Sequence, residues 1–175
     1  MLNNLRHSRP ALLVLGLVLG LVIGLNVRGL WPQTSLHAVA THGQENFAIA
    51  TGFVDEQIEA IYFLDFMTGD LRAAVLQPRT GKFNSFFTGN VLADFGGAGI
   101  KNPKFLMVTG QADLPRGAQN FQYARSVVYV AEATTGQVAC YTIPWNAARQ
   151  AQGATQAGQF VPLDKRQFRT AVIRD

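Results

Sequence analysis

Asp55, Glu56 and Glu59 stand close together, and Asp113 repeats Asp55 later in the chain. Two carboxylates converging on one pocket are the equipment of a glycoside hydrolase, and a set of acids with carbonyl oxygens can hold Ca²⁺. The spacing follows no EF-hand loop, so a solvated acidic loop is the simpler expectation. All three histidines, His7, His37 and His42, precede Glu45. A Ser-His-Asp or Cys-His arrangement, or a His-ligated zinc, would therefore have to borrow an imidazole from the leading segment. Cys140, the one cysteine, has no partner for an intrachain disulfide, and its place in an apolar run predicts a small buried hydrophobe. Gly96-Gly97-Ala98-Gly99 with Lys101 is glycine-rich like a phosphate cradle but lacks the Gly-Lys-Ser/Thr ending, which predicts a linker. Phe121, Tyr123 and Trp145 are aromatics available for a binding surface or for packing. These observations assign no catalytic, cofactor-binding or metal-ligating residue and imply no cofactor.

The elements that would carry such residues are written twice. Ile61-Tyr62-Phe63-Leu64-Asp65-Phe66-Met67-Thr68-Gly69 followed by an apolar run returns as Val128-Tyr129-Val130-Ala131-Glu132-Ala133-Thr134-Thr135-Gly136 followed by another. An apolar run, an acid, Thr-Gly and a second apolar run describe a β-hairpin. Thr68-Gly69 and Thr135-Gly136 are its turns, with glycine at the position that needs φ > 0; Asp65 and Glu132 cap the turn amides, a reach shorter for Asp than for Glu. The strands before them match too: Phe47, Thr51, Gly52 and Asp55 recur as Phe105, Thr109, Gly110 and Asp113, each 58 positions on. For the hairpins the offset is 67, which places an insertion within residues 114–125. An internal duplication follows, with repeat one at 46–95 and repeat two at 104–173. Ile61–Leu64 and Val127–Ala131 are apolar on both pleat faces, which predicts central strands covered on both sides.

Residues 11–25 read ALLVLGLVLGLVIGL after Arg6, His7 and Arg9. With the residues through Trp31 the stretch reaches the roughly 20 residues a helix needs to cross a bilayer. The expected organisation is a basic cytoplasmic N-terminus (1–10), a transmembrane anchor (11–31), a tether (32–44) and an extracytoplasmic domain (45–175). The positive flank places this single-pass protein in the bacterial inner membrane with the domain in the periplasm. Ala38-Val39-Ala40 has the form of a signal-peptide cleavage site, and cleavage after Ala40 would make the domain secreted. Gly16, Gly20 and Gly24 line one helix face, the pattern that lets two membrane helices approach closely, which points to self-association. Three of the 15 basic residues, Arg6, Arg9 and Arg28, flank this span, leaving 12 basic against 11 acidic residues elsewhere. The net charge of +4 is thus mostly a topology signal, and no nucleic-acid partner is expected.

Further along, Arg79-Thr80-Gly81-Lys82 reads as a turn; the spacing of Phe83, Phe86 and Phe87 suits either a strand or a short helix, and a strand followed by a helix through Val91–Phe95 is the expectation. Asn146–Gln152 reads as a short surface helix, Gly153–Gly158 as a mobile loop, and Gln159–Val161 and Phe168–Ile173 as closing strands. The fold class is mainly β: a transmembrane helix, then a small antiparallel β domain of two blade-like units with one or two short helices.

The stretch Val128-Tyr129-Val130-Ala131-Glu132-Ala133-Thr134-Thr135-Gly136-Gln137-Val138 resembles one hairpin of quinoprotein and YVTN-type β-propeller repeats. It lacks the Trp of the full repeat, and even four blades need about 160 residues, so quinone chemistry is not carried over. From the basic anchor through Leu30-Trp31-Pro32-Gln33-Thr34 and Gln44-Glu45-Asn46-Phe47-Ala48-Ile49-Ala50-Thr51-Gly52 to the hairpins, the chain resembles uncharacterised membrane-anchored proteins of planctomycete-type bacteria. That resemblance carries no activity. The expected function is a membrane-anchored binding or scaffolding module, self-associated or bound to a protein partner in an envelope complex. Two other readings are a periplasmic carboxylate hydrolase of glycans using Asp55, Glu59 and Asp113, and an accessory subunit of a membrane redox complex.

Overall fold

The computed structural model describes residues 13–20, 41–43, 45–96, 103–115 and 122–169. The chain divides into two units, Met1–His37 and Ala38–Asp175. In the first, residues 13–20 are helical (α1) and exposed throughout, and among the described residues a Cβ placed on Gly16 or Gly20 would meet nothing within 4 Å beyond its chain neighbours and the helix's own backbone. Among the described residues no helix is long and apolar enough to cross a membrane. Gly24 and the rest of the expected anchor, like Phe121 and Gly97–Lys101, lie outside them.

In the second unit alternation of side chains builds a sandwich. In β2 (Phe47–Asp55), β3 (Ile58–Asp65) and β4 (Asp70–Gln77), every second residue is buried or nearly so: Ala48, Ala50 and Val54, then Ala60, Tyr62 and Leu64, then Leu71, Ala73 and Val75. Facing them, β6 (Phe105–Gln111), β8 (Ser126–Glu132) and β9 (Gln137–Thr142) contribute Phe105, Met107, Val128, Val130, Ala139 and Tyr141 to the same core. The small residues of β2 set the sheet spacing. A Cβ on Gly52 would stand 3.0 Å from Ser126 Cβ, and the space it leaves admits the buried hydrogen bond between the Tyr62 and Ser126 hydroxyls.

The first sheet runs β1-β2-β3-β4-β5-β11, with β1 at Thr41–Gly43, β5 at Lys82–Asn90 and β11 at Ala157–Gln159; the second runs β12-β9-β8-β6, with β12 at Val161–Gln167. A two-stranded ribbon pairs β7 (Gln122–Tyr123) with β10 (Pro144–Trp145). The short helices are α2 (Leu92–Phe95) and α3 (Ala147–Ala151). Phe160 joins the sheets: its N–H donates to Thr88 O at 2.9 Å, its ring lies 6.1 Å from Tyr62, and the chain then leaves β5 to pair with β9. Tyr141 Oη ties the second sheet to α2 by donating to Asp94 at 2.8 Å; burial first, then this acceptor and its charge, push the phenol pKa up.

Both sheets contain a four-stranded antiparallel meander, β2-β3-β4-β5 and β6-β8-β9-β12. Their registers coincide at the offsets of 58 and 67 read from the sequence. Phe47 pairs with Asp65 as Phe105 pairs with Glu132, and Ile61 pairs with Ala74 as Val128 pairs with Tyr141. The bond from Phe66 N to Asn46 O recurs from Ala133 N to Lys104 O, both 2.8 Å.

Several expectations need correction. β3 and β8 are interior strands, but the outer face of each is only partly covered: Val127 is buried, whereas Phe63 remains 36% exposed and Tyr129 38%. The end of the expected tether, Thr41–Gly43, pairs with β2 as β1. The sheets are not wholly antiparallel, because β11 joins β5 in parallel. This strand occupies part of the expected mobile loop, anchored by buried Gln156, whose N–H donates to Ser85 Oγ and whose O accepts from Phe86 N. Among the described residues the last strand is Val161–Gln167, with Phe168 and Arg169 after it, and residues 170–173 of the expected closing strand lie outside them; a proline at 162 did not stop pairing, since β12 is an edge strand with a bulge between Pro162 and Asp164. Cys140 points to the outer side of β9 and is half-buried, its thiol donating to Asp164 O at 3.4 Å.

Candidate functional site

Three turns share one construction. In the β3–β4 turn, Asp65 Oδ1 accepts from Met67 N (2.8 Å) and Thr68 N (3.2 Å), Gly69 N donates to Asp65 O (2.9 Å), and Gly69 has φ of 70°. In the β8–β9 turn, Glu132 Oε1 accepts from Thr134 N (3.1 Å) and Oε2 from Thr135 N (2.7 Å), while Gly136 N donates to Glu132 O (2.8 Å) at φ 73°. The longer Glu side chain uses both oxygens where Asp uses one. The β4–β5 turn repeats the form with Gln77 in the acid's place: Gly81 N donates to Gln77 O at 2.9 Å, and Gly81 has φ of 65°. Glu132 is fully buried. Burial raises its pKa, but the Thr135 and Thr134 donors outweigh this and hold the carboxyl below the usual glutamate value. These groups are consumed in closing turns, and none is presented to a ligand.

The acids proposed for a hydrolase do not share a cleft. Asp55 Oδ2 accepts from Trp145 Nε1 at 3.3 Å and its Oδ1 from Glu56 N at 2.9 Å. Asp113, with its side chain 90% exposed, approaches Arg125 Nε at 3.9 Å. Glu59 sits on β3 opposite Phe53. Among the described residues no group of His, Cys, Asp and Glu is placed to hold a metal ion. Trp145, one of the aromatics considered for a binding surface, is buried in the core.

Two open clefts of about 420 and 410 Å³ flank α3. The helix starts at Asn146, whose Oδ1 accepts from Arg149 N at 3.0 Å, and its C-terminal carbonyl at Ala151 accepts from Arg79 Nη1 at 3.0 Å. The larger cleft lies by Trp145, Asn146 and Gln156, and the buried amide of Gln156 is fully engaged: Oε1 accepts from Asn146 N (3.0 Å) and Nε2 donates to Asn146 O (3.1 Å). The other cleft lies between the β2–β3 turn, the β4–β5 turn and α3, and takes Asp55, Glu56, Gln77, Arg79 and Gln150 into its wall. Gln150 is 4% exposed, and neither its Nε2 nor its Oε1 has a hydrogen-bond partner. Nothing in the sequence singles out Gln150. It stands in the five-residue helix Ala-Ala-Arg-Gln-Ala, too short for hydrophobic periodicity to tell its buried face. The chain matches no known protein family, curated protein or solved structure.

Proposed function

We propose that the protein is a membrane-anchored extracytoplasmic binding or scaffolding module, and that its sandwich docks on a second copy of the chain through the outer faces of its sheets. One observation carries this reading: the side of each sheet turned away from the core carries a cluster of exposed apolar side chains, beside charged ones such as Arg72, which pairs with Phe63. On the first sheet Phe86 pairs with Ala74 and Ala74 with Ile61, while the adjacent Phe63 pairs with Ile49 and stacks on Phe47 at 5.2 Å. On the second, Leu106 and Val108 sit beside Ala131 and Tyr129. Phe86 is 50% exposed and Leu106 64%. Strands apolar on both faces belong to sheets covered on both sides, and clustered apolar exposure marks an interaction surface. The apolar run at 11–31 and its basic flank support the anchor, and the Gly16, Gly20 and Gly24 spacing supports pairing of anchors.

Chemical cross-linking of the full chain in membranes tests the proposal. Wild type should give a dimer or larger species, reduced by Phe63→Lys with Phe86→Lys and by Gly20→Leu. A monomer unaffected by any of these, or a cross-linked species made only with a different protein, would refute self-association.

A further inference from the structure

The two meanders share their registers but bury opposite faces. Into the core the first sheet turns Ala48, Ala50, Tyr62, Leu64, Leu71 and Ala73. At the offsets of 58 and 67 their counterparts are Leu106, Val108, Tyr129, Ala131, Val138 and Cys140, all on the outer side of the second sheet. Conversely Phe105, Met107, Val128, Val130 and Ala139, in the core, correspond to Phe47, Ile49, Ile61, Phe63 and Arg72, on the outer side of the first. Phe47 and Phe105 hold the same place in the repeat, yet one lies outside and the other within. The sandwich is therefore assembled front to back, the front being the side that the first sheet turns to the core. Equivalent strands lie against each other, and Thr109 Oγ1 donates to Thr51 O, the same position of the first repeat.

Front-to-back contact leaves one surface of each kind unused. The second sheet still presents a front, the counterpart of the one the first sheet buries. The first sheet still presents a back, the counterpart of the one the second buries. On the reading that the sandwich self-associates, we propose that copies join head to tail: the outer face of one copy's second sheet seats on the outer face of the next copy's first sheet. The contact between copies then repeats the contact made within each. A two-fold dimer would instead pair front with front or back with back, for which the described sheets offer no template.

The internal interface indicates what meets what. Gly52 beside Tyr62 leaves the recess that Ser126 enters to bond the Tyr62 hydroxyl, and a Cβ on Gly52 would stand 3.4 Å from Tyr62 Cε2. The second sheet carries the same recess on its outer face, where a Cβ on Gly110 would stand 3.1 Å from Tyr129 Cε2. The counterpart of Ser126 is Glu59, since Glu59 pairs with Phe53 as Ser126 pairs with Gln111. Seated head to tail, Glu59 of the next copy brings a carboxylate acceptor to Tyr129 Oη. Arg72 stands where the second sheet has Ala139, but it comes already paired with Asp70 at 3.2 Å, and arginine is the cation enriched at protein interfaces. Val127, at one end of the open front, is already covered, which leaves Leu106, Val108, Tyr129, Ala131 and Val138 to dock.

Two variants of the full chain test the contact by complementation. Leu106→Lys with Val108→Lys blocks the front, and Phe63→Lys with Phe86→Lys blocks the back; all four sites are exposed. Melting of each variant checks that it folds, and Tyr129→Lys or Phe47→Lys replaces a block that does not. In membranes holding differently tagged copies, chemical cross-linking should join few copies of either variant alone. Mixed in equal amounts, the two should cross-link to each other about tenfold or more above either alone, because each supplies the face the other lacks. Anchor pairing adds the same background to every sample. Self-joining by one variant alone identifies a two-fold dimer through its intact face, which overturns head-to-tail contact and leaves self-association standing. A mixture joined no better than its components, while wild type still cross-links, has the same meaning. If wild type itself is monomeric, self-association falls and this contact with it.

Discussion

Replacing Glu132 by alanine should cost about 3–4 kcal/mol, while Asp65→Ala, at the equivalent position of the first hairpin, should cost about 1 kcal/mol. The difference comes from burial. Glu132 is fully buried, and each of its oxygens accepts one turn amide, at 2.7 and 3.1 Å. Hydrogen bonds to a charged acceptor contribute about 1.5–3 kcal/mol each, and partial rehydration of the Thr134 and Thr135 amides brings the sum below the upper limit. Asp65 holds two amides through one oxygen in a turn open to water, where the freed N–H groups can be resolvated. Urea denaturation at neutral pH gives both values. Acid supplies a second readout through Glu132→Gln. The Glu132 carboxyl is held below its usual range, so its contribution is complete above the unfolded-state value of about 4.3 and is lost as pH falls through the lower native value. The stability gap between wild type and Glu132→Gln should therefore narrow below about pH 4. If Asp65→Ala costs as much as Glu132→Ala, burial is not what distinguishes the two turns; if the gap stays constant on acidification, the Thr134 and Thr135 amides do not favour the charged carboxylate.

Gln150→Leu should stabilise the protein by about 1–2 kcal/mol, seen as a higher urea midpoint, because it removes an amide buried without partners. Gly136→Ala should destabilise more than Gly81→Ala in the same assay: both have positive φ, but a Cβ at 136 would collide with Arg169 whereas none lies near 81. Tyr62→Phe should cost about 1–3 kcal/mol by leaving the Ser126 hydroxyl without its partner in the core. The Tyr62 phenol pKa is raised, by burial first, with the Ser126 bond acting against it, so it should resist ionisation in a spectrophotometric titration of the folded protein to high pH.

The meanders were readable because turn chemistry and strand alternation are local: Thr68-Gly69 and Thr135-Gly136 each need one residue at positive φ beside an acceptor. The offsets of 58 and 67 then carried over into the strand registers. Coverage was misjudged at β3 and β8, because a strand apolar on both faces reads the same whether its second face meets the same chain or another molecule. The strand was not expected to run past Val161, because Pro162 and the charged run Asp164-Lys165-Arg166 argue against pairing, yet an edge strand tolerates both. Asp55, Glu59 and Asp113 looked like a set only because they are near in sequence or repeat one another; Asp55 is bound to Trp145, ninety positions away, which no local pattern reveals. The candidate cleft was illegible for the same reason, being assembled from two turns and a helix that lie far apart in the chain.

The run from Ala157 to Gln167 serves both sheets, as a parallel edge on β5 and then as an antiparallel edge on β9. During synthesis the first meander can form as soon as its neighbouring strands emerge, since each pairs with the next. The far side of β5 must then wait some seventy residues for its partner, with backbone donors and acceptors unpaired and Phe86 beside them. A nascent chain in that interval presents an unfinished sheet edge to its neighbours on the polysome. The late position of an eleven-residue run thus leaves that edge open through much of the domain's synthesis.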